Sequence, residues 1–71
     1  MQTDPLPIEQ FLPRSEVLTA SGLARSTLYE RIAASTFPAP VKLGRSSRWL
    51  LSEIAEWQRA QVLARQGGAH A

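Results

Sequence analysis

The sequence predicts a winged helix-turn-helix, a mainly α fold that carries one small β-hairpin. Three observations lead to this prediction: two short helical segments separated by a glycine, a two-residue periodicity after them, and a final amphipathic segment. With 71 residues the chain is expected to form one small domain, which leaves little room for a deep pocket. We expect the folded unit to span residues 11–65, between a flexible arm (1–10) and a flexible tail (66–71).

The first helix is predicted to begin at Ser15, whose hydroxyl is suited to cap free backbone N–H groups. Glu16 follows and complements the positive end of the helix dipole. Val17 and Leu18 supply the buried side. Gly22 is expected to end the helix, because glycine accepts the left-handed conformation that terminates helices.

The second helix is predicted to follow after a tight turn, with Ser26 as its N-cap. Leu28 and Ile32 are four residues apart, so they lie on one side of the helix and should be buried. The opposite side is polar and faces outward. The helix must end before Pro38, because proline lacks an N–H and restricts the residue before it.

A β-hairpin is predicted next, because the pattern changes to alternation. The two strands are residues 41–43 and 48–50, and the turn between them is residues 44–47. We expect Lys42 and Arg48 on its solvent face and Arg45 at its tip. An isolated hairpin is barely stable, so three side chains are expected to pack against the helices: Val41, Leu43 and Trp49.

The third helix is predicted to begin with Ser52 as its cap and to continue to about Arg65. Its buried stripe should consist of Leu51, Ile54 and Trp57, with Gln61 as a further candidate, since these residues recur at spacings of three and four. Trp57 is therefore expected to belong to the core rather than to a ligand site.

The charge of the chain is small but unevenly distributed. The formal net charge is +2, yet residues 25–48 contain five cations and one anion, so the flanks together carry −2. Seven of the eight cations are arginines, whose planar guanidinium suits bidentate contacts with phosphate and guanine. A basic middle third beside two short helices favours nucleic-acid binding. From charge alone, a solvated basic surface remains an equal alternative.

Several segments resemble the AlpA-type family of small regulators encoded by phages and mobile elements, which are akin to excisionases and to the DNA-binding domain of MerR-type activators. The segments are LPRSEVL (12–18), GL (22–23), RSTLY (25–29), FPAPVKLG (37–44), and SEI (52–54) with the tryptophans at 49 and 57. The similarity covers about residues 11–65. It implies a winged helix, no enzymatic activity, and a role in transcriptional regulation or in integrase-driven excision. It also implies that the recognition helix is residues 25–35 and that the wing is residues 42–48.

In a helix-turn-helix the second helix lies in the major groove, so its polar side should read bases. The predicted base-reading residues are Ser26, Thr27, Glu30 and Arg31. The predicted phosphate contacts are Arg25, Tyr29, Lys42, Ser46, Ser47 and Arg48. Arg45 is expected to probe the minor groove or the backbone. A structural hairpin whose cations only aid solubility is the alternative for the wing.

Glu30 departs from the resemblance, because relatives often carry a basic residue there. A carboxylate would repel a phosphate, so Glu30 is expected either to accept a hydrogen bond from cytosine N4 or to pair with a neighbouring arginine.

Catalysis, metal binding and cofactors are not expected. The chain has no cysteine, and its one histidine, His70, lies in the predicted tail. Glu53 and Glu56 are three residues apart on a helix, where such carboxylates are usually just solvated. No apolar run approaches a membrane span and no secretory signal is expected, so we predict a cytoplasmic, nucleoid-associated protein.

The expected partner is double-stranded DNA. One such module buries only about 600–1,000 Å², so further copies on repeated sites are expected to act together, with integrase or RNA polymerase as further candidate partners. The alternative is a protein-interaction module, in which the third helix and the tail dock on an integrase, a repressor or a polymerase.

Overall fold

A computed structural model describes residues 8–68; the expectations for residues 1–7 and 69–71, His70 included, lie outside the described residues. Within this range the chain forms three helices and a three-stranded antiparallel sheet. In chain order the elements are β1 (Phe11–Pro13), α1 (Arg14–Ser21), α2 (Arg25–Ala33), β2 (Val41–Leu43), β3 (Ser46–Leu50) and α3 (Leu51–Gly68). The predicted winged helix-turn-helix fold is confirmed.

The sheet has the order β1-β3-β2, so the hairpin gains a third strand that was not predicted. β1 pairs with β3 from Phe11 opposite Leu50 to Pro13 opposite Arg48. Three residues are too few to show a periodicity, which is why β1 was missed. Its pairing anchors the base of the wing to the body of the domain.

The turn of the hairpin is shorter than predicted. Leu43 is paired with Ser46, so the loop consists of Gly44 and Arg45 alone, and Ser46 and Ser47 belong to the returning strand. Gly44 has a φ of +65°, which the first central residue of a type II′ turn requires. This tight turn places Arg45 at the tip of the wing, as expected.

The predicted inward and outward faces of the hairpin are wrong. Lys42 lies opposite Ser47, whereas Arg48 lies opposite Val41, so Lys42 and Arg48 point to opposite faces of the sheet. Lys42 is on the face that carries buried Trp49. Val41 and Leu43 are exposed, with 46% of Leu43 accessible, because the helices cover only the other face and β2 is an edge strand.

The core lies between the sheet and the helices. Its buried members are Leu12, Val17, Leu28, Phe37, Trp49 and Ile54. The indole Nε1 of Trp49 donates to the carbonyl oxygen of Pro38 at 2.9 Å, which satisfies the buried N–H. Trp57 is half-buried against this core, as predicted, but Leu51 is 41% exposed and does not extend the buried stripe.

The predicted serine caps are also wrong. Pro13 and Ala24 are the N-caps of α1 and α2, and neither makes a side-chain cap bond. Ser15 and Ser26 are therefore the second residues of their helices. Ser52 is the second residue of α3 and donates instead to the Glu9 carboxylate at 3.1 Å. α1 and α3 start earlier than expected because β1 and β3 run directly into them.

The helix ends follow backbone conformation. Gly22 caps α1 with a φ of +73°, as predicted. α2 ends at Ala33 rather than at residue 35, because Ser35 has a φ of +63°. The N–H groups of Ser35 and Thr36 bond to the carbonyls of Ile32 and Arg31, which forms a Schellman motif. α3 continues beyond the predicted end at Arg65, to Gly68.

Candidate nucleic-acid interface

A cleft of about 580 Å³ lies between α1, the start of α2 and the wing. Four of its nine lining residues are arginines, namely Arg14, Arg25, Arg45 and Arg48; the others are Pro13, Ser15, Leu18, Ser46 and Ser47. No carboxylate is among the nine, so the cleft is strongly positive. We call it the arginine cleft.

Two helix N-termini border the arginine cleft. Arg14 and Ser15 open α1, and Arg25 opens α2. The first N–H groups of a helix have no partner within the helix and carry a partial positive charge. Side-chain and main-chain donors therefore add to the same positive potential, which favours an anion such as a phosphate.

The wing contributes its free strand edge to the arginine cleft. In a hairpin with a two-residue loop, the pair that closes the loop exchanges both of its hydrogen bonds, and here that pair is Leu43 and Ser46. The main-chain groups of Ser47 therefore point away from β2, at a position that β1 does not reach. The carbonyl oxygen of Ser47 accepts a bond from Arg48 Nη1 at 3.1 Å, and Ser47 lines the arginine cleft.

Arg14 was not among the predicted site residues. It lies in the LPRSE segment, and only the start of α1 directly after β1 brings it to the cleft. Its Nη1 donates to the hydroxyl of Tyr29 at 3.4 Å, so Tyr29 links α2 to this edge of the site. The signal that the sequence offered is the cation directly before Ser15, the predicted start of the first helix.

The predicted residues of α2 divide into two groups. At about 100° per residue, Ser26 and Glu30 lie opposite buried Leu28 and are exposed. Thr27 and Arg31 fall on the flank that faces away from Arg25 and Tyr29. The flank of α2 that carries Arg25 therefore borders the cleft. Thr27, which is half-buried, lies on the opposite flank.

The structure brings together five of the predicted residues, which are Arg25, Arg45, Ser46, Ser47 and Arg48. Lys42 does not line the cleft; its Nζ donates to the Ser47 hydroxyl at 3.1 Å. The start of α2 and the wing therefore share one cationic surface.

The part of the chain that the structure describes holds no group of three or more histidine, aspartate or glutamate side chains placed to bind a metal ion. None of the helices within residues 8–68 has the length and apolarity that crossing a membrane demands.

Residues 10–62 match the family model described as "Prophage CP4-57 regulatory protein (AlpA)". The chain is also 41% identical over 61 residues to an uncharacterized protein, ORF88, of Enterobacteria phage P4, an alignment that covers 84% of this chain and 69% of the phage protein. No solved structure matches the chain significantly. The matched segment contains every residue that lines the arginine cleft.

Proposed function

Since the chain belongs to the AlpA family of phage regulatory proteins, we propose that it binds double-stranded DNA sequence-specifically, with α2 in the major groove and the wing on the adjacent backbone or minor groove. The observation that carries this proposal is the arginine cleft, in which the start of α2 and the wing meet. A continuous positive surface of this kind can follow a single phosphate backbone from one groove to the next.

The proposed DNA contacts fall into two sets, one to base edges and one to phosphates. Ser26 and Glu30 face base edges from the outer side of α2, and Thr27 and Arg31 reach bases on the flank away from the cleft. In the cleft, phosphates are bound by Arg25, Ser46, Ser47 and Arg48, with Arg14 as an addition from the structure and Tyr29 beside Arg14. Lys42 lies outside the cleft, beside the Ser47 hydroxyl, and contacts a phosphate at the edge of the wing. Arg45, at the tip of the wing, enters the minor groove or lies along its edge.

The protein is proposed to act without enzymatic activity, in the cytoplasm at the nucleoid. It controls either a promoter, with RNA polymerase as the partner, or integrase-driven excision, with an integrase as the partner. Both outputs need several copies on neighbouring sites, because one module of this size covers little DNA.

Titration of a fluorescently labelled duplex at several salt concentrations tests the proposal. Each neutralised phosphate contributes about −0.9 to the slope of log affinity against log salt concentration. Four or so phosphate contacts therefore predict a slope of about −3.6. A slope near zero, or no binding at low salt, contradicts DNA binding and favours a protein-interaction role for α3.

A matched pair of variants separates the arginine cleft from general charge. Arg48→Ala and Arg65→Ala each remove one guanidinium, but only Arg48 lines the cleft. We expect the Arg48 variant to lose affinity for every duplex and about one unit of salt slope, and the Arg65 variant to bind nearly as the wild type does. Equal losses in the two variants contradict the proposed site.

A further inference from the structure

A second concavity lies at the far end of α2 from the arginine cleft. It is a shallow depression, open to solvent, of about 630 Å³, and it is bounded by the segment after α2 (residues 35–39) and by α3. Phe37, Pro38 and Trp57 give it an apolar, aromatic wall, and Glu53 and Glu56 also line it. We call it the aromatic groove. It shares no lining residue with the arginine cleft, so both can be occupied at once.

The aromatic groove is held in shape by contacts around Trp57. The ring of Trp57 packs edge-on against Phe37 with a centroid distance of 4.9 Å. The indole Nε1 donates to the carbonyl oxygen of Thr36 at 3.2 Å. A concavity fixed in this way needs little reorganisation to bind a partner, which lowers the cost of binding.

The charge of the aromatic groove is negative. Glu53 and Glu56 are both exposed, and no lysine or arginine is among the lining residues. The groove therefore fits a segment that combines apolar side chains with a positive charge, and it disfavours DNA.

The second half of α3 has those properties. Arg59, Val62 and Leu63 follow the i, i+3, i+4 spacing and share one side of the helix. Val62 is 47% and Leu63 58% exposed, so the two side chains form an apolar strip on this side of α3 that is available for contact. From residue 57 to residue 71 the sequence contains two arginines and no acidic residue.

We propose that this side of α3 docks in the aromatic groove of a second copy of the chain. Val62 and Leu63 would contact the aromatic wall, and Arg59 would pair with Glu56 at the rim. An amphipathic helix that lays its apolar side in a groove is a common mode of recognition. None of the three docking residues lines the groove, but the two surfaces adjoin on α3, where Arg59 lies one turn after Glu56. The arginine cleft stays open in both copies.

The contact is small, since two apolar side chains and one ion pair dominate it. Interfaces of this size are weak on their own, and they become effective when DNA holds two copies side by side. The interaction itself does not require DNA, so it can be measured separately from the proposed DNA binding.

Sedimentation equilibrium from about 10 µM to about 1 mM protein, a range that brackets weak affinities, tests the proposal. We expect the average mass of the wild type to rise above the 7.8 kDa of one chain as concentration increases. Glu56→Lys and Leu63→Glu should each keep the mass at that of one chain. Glu56 is chosen over Glu53, which stabilises the first turn of α3.

Controls and mixtures make the test specific. Glu30→Lys and Leu51→Glu make the same chemical changes at exposed positions outside the aromatic groove and outside the docking side of α3. Both variants should associate as the wild type does. A mixture of the Glu56 and Leu63 variants should associate again, because one retains an intact helix side and the other an intact groove. Arg59→Glu is a second helix-side variant, and circular dichroism checks that each variant is folded.

Three results would overturn the proposal: a wild type that keeps the mass of one chain up to about 1 mM, variants that associate as strongly as the wild type, or a mixture that does not associate. If DNA binding fails while the mass still rises, the docking contact stands and the proposed function does not.

Discussion

The guanidinium of Arg14, in the first turn of α1, donates to the hydroxyl of Tyr29 in α2 across 3.4 Å. The bond is long and exposed, so it adds little to the stability of the fold. Its effect is positional: it joins the two helices that border the arginine cleft and keeps Arg14 beside α2.

Arg14→Ala is expected to weaken binding to every duplex alike and to reduce the salt slope by about one unit, because one phosphate contact is lost. Tyr29→Phe keeps the ring and removes the hydroxyl, so affinity should fall by only a few-fold, about 0.5–1 kcal/mol. Fluorescence anisotropy at several salt concentrations measures both. An Arg14 variant with an unchanged slope would exclude Arg14 from the interface.

Ser26→Ala and Glu30→Gln are expected to change sequence preference rather than overall affinity. Each should alter discrimination at one base pair by about 1–3 kcal/mol, since a base-edge hydrogen bond is lost or changed. The measurement is competition among duplexes that differ at single positions, with Arg48→Ala as the control for uniform loss. A uniform loss in the α2 variants would mean that the reading face of α2 is wrongly assigned.

Trp49→Phe is expected to destabilise the domain by about 2–4 kcal/mol, because it leaves a cavity and removes the bond to the Pro38 carbonyl. Trp57→Phe should cost about 1 kcal/mol, since Trp57 is half-buried and water can reach its partner. Urea unfolding followed by circular dichroism gives both values. The reverse order would show that the aromatic contact with Phe37, not buried Trp49, dominates the core.

Ser35→Gly is expected to stabilise the domain by about 0.5–1 kcal/mol, because Ser35 has a φ of +63° that glycine adopts without strain. Tm should rise by about 2–8 °C for a domain of this size. Ser35→Ala is the control: it keeps the strain and should not raise Tm. Thermal unfolding with equal gains in both variants would assign the effect to something other than backbone conformation.

The helices were predictable because their signals are local. Gly22 ends α1 and the Leu28–Ile32 spacing buries one side of α2, as the sequence indicates. The faces of the hairpin were not predictable, because they depend on pairing between strands. From the sequence, Ser46 and Ser47 could equally extend the turn or begin the returning strand. The pairing of Leu43 with Ser46 shows that they begin the strand.

The site was predictable in part for the same reason. Arg25, Arg45 and Arg48 stood out as a basic stretch of sequence, and the structure places all three in one cleft. Arg14 lies outside that stretch and reaches the cleft only because β1 pairs with β3 and leads directly into α1. The predicted serine caps were wrong because each helix begins one residue before its serine, which places Ser15, Ser26 and Ser52 inside the first turn.

β1 passes into α1 at Pro13–Arg14, and β3 passes into α3 at Leu50–Leu51, without an intervening loop. These two junctions therefore have no flexible loop that could change the distance from Arg45 to the outer side of α2. A duplex that engages both must accommodate the spacing that the protein presents. Flexible base steps between the two contacts would then be favoured, although no side chain touches them.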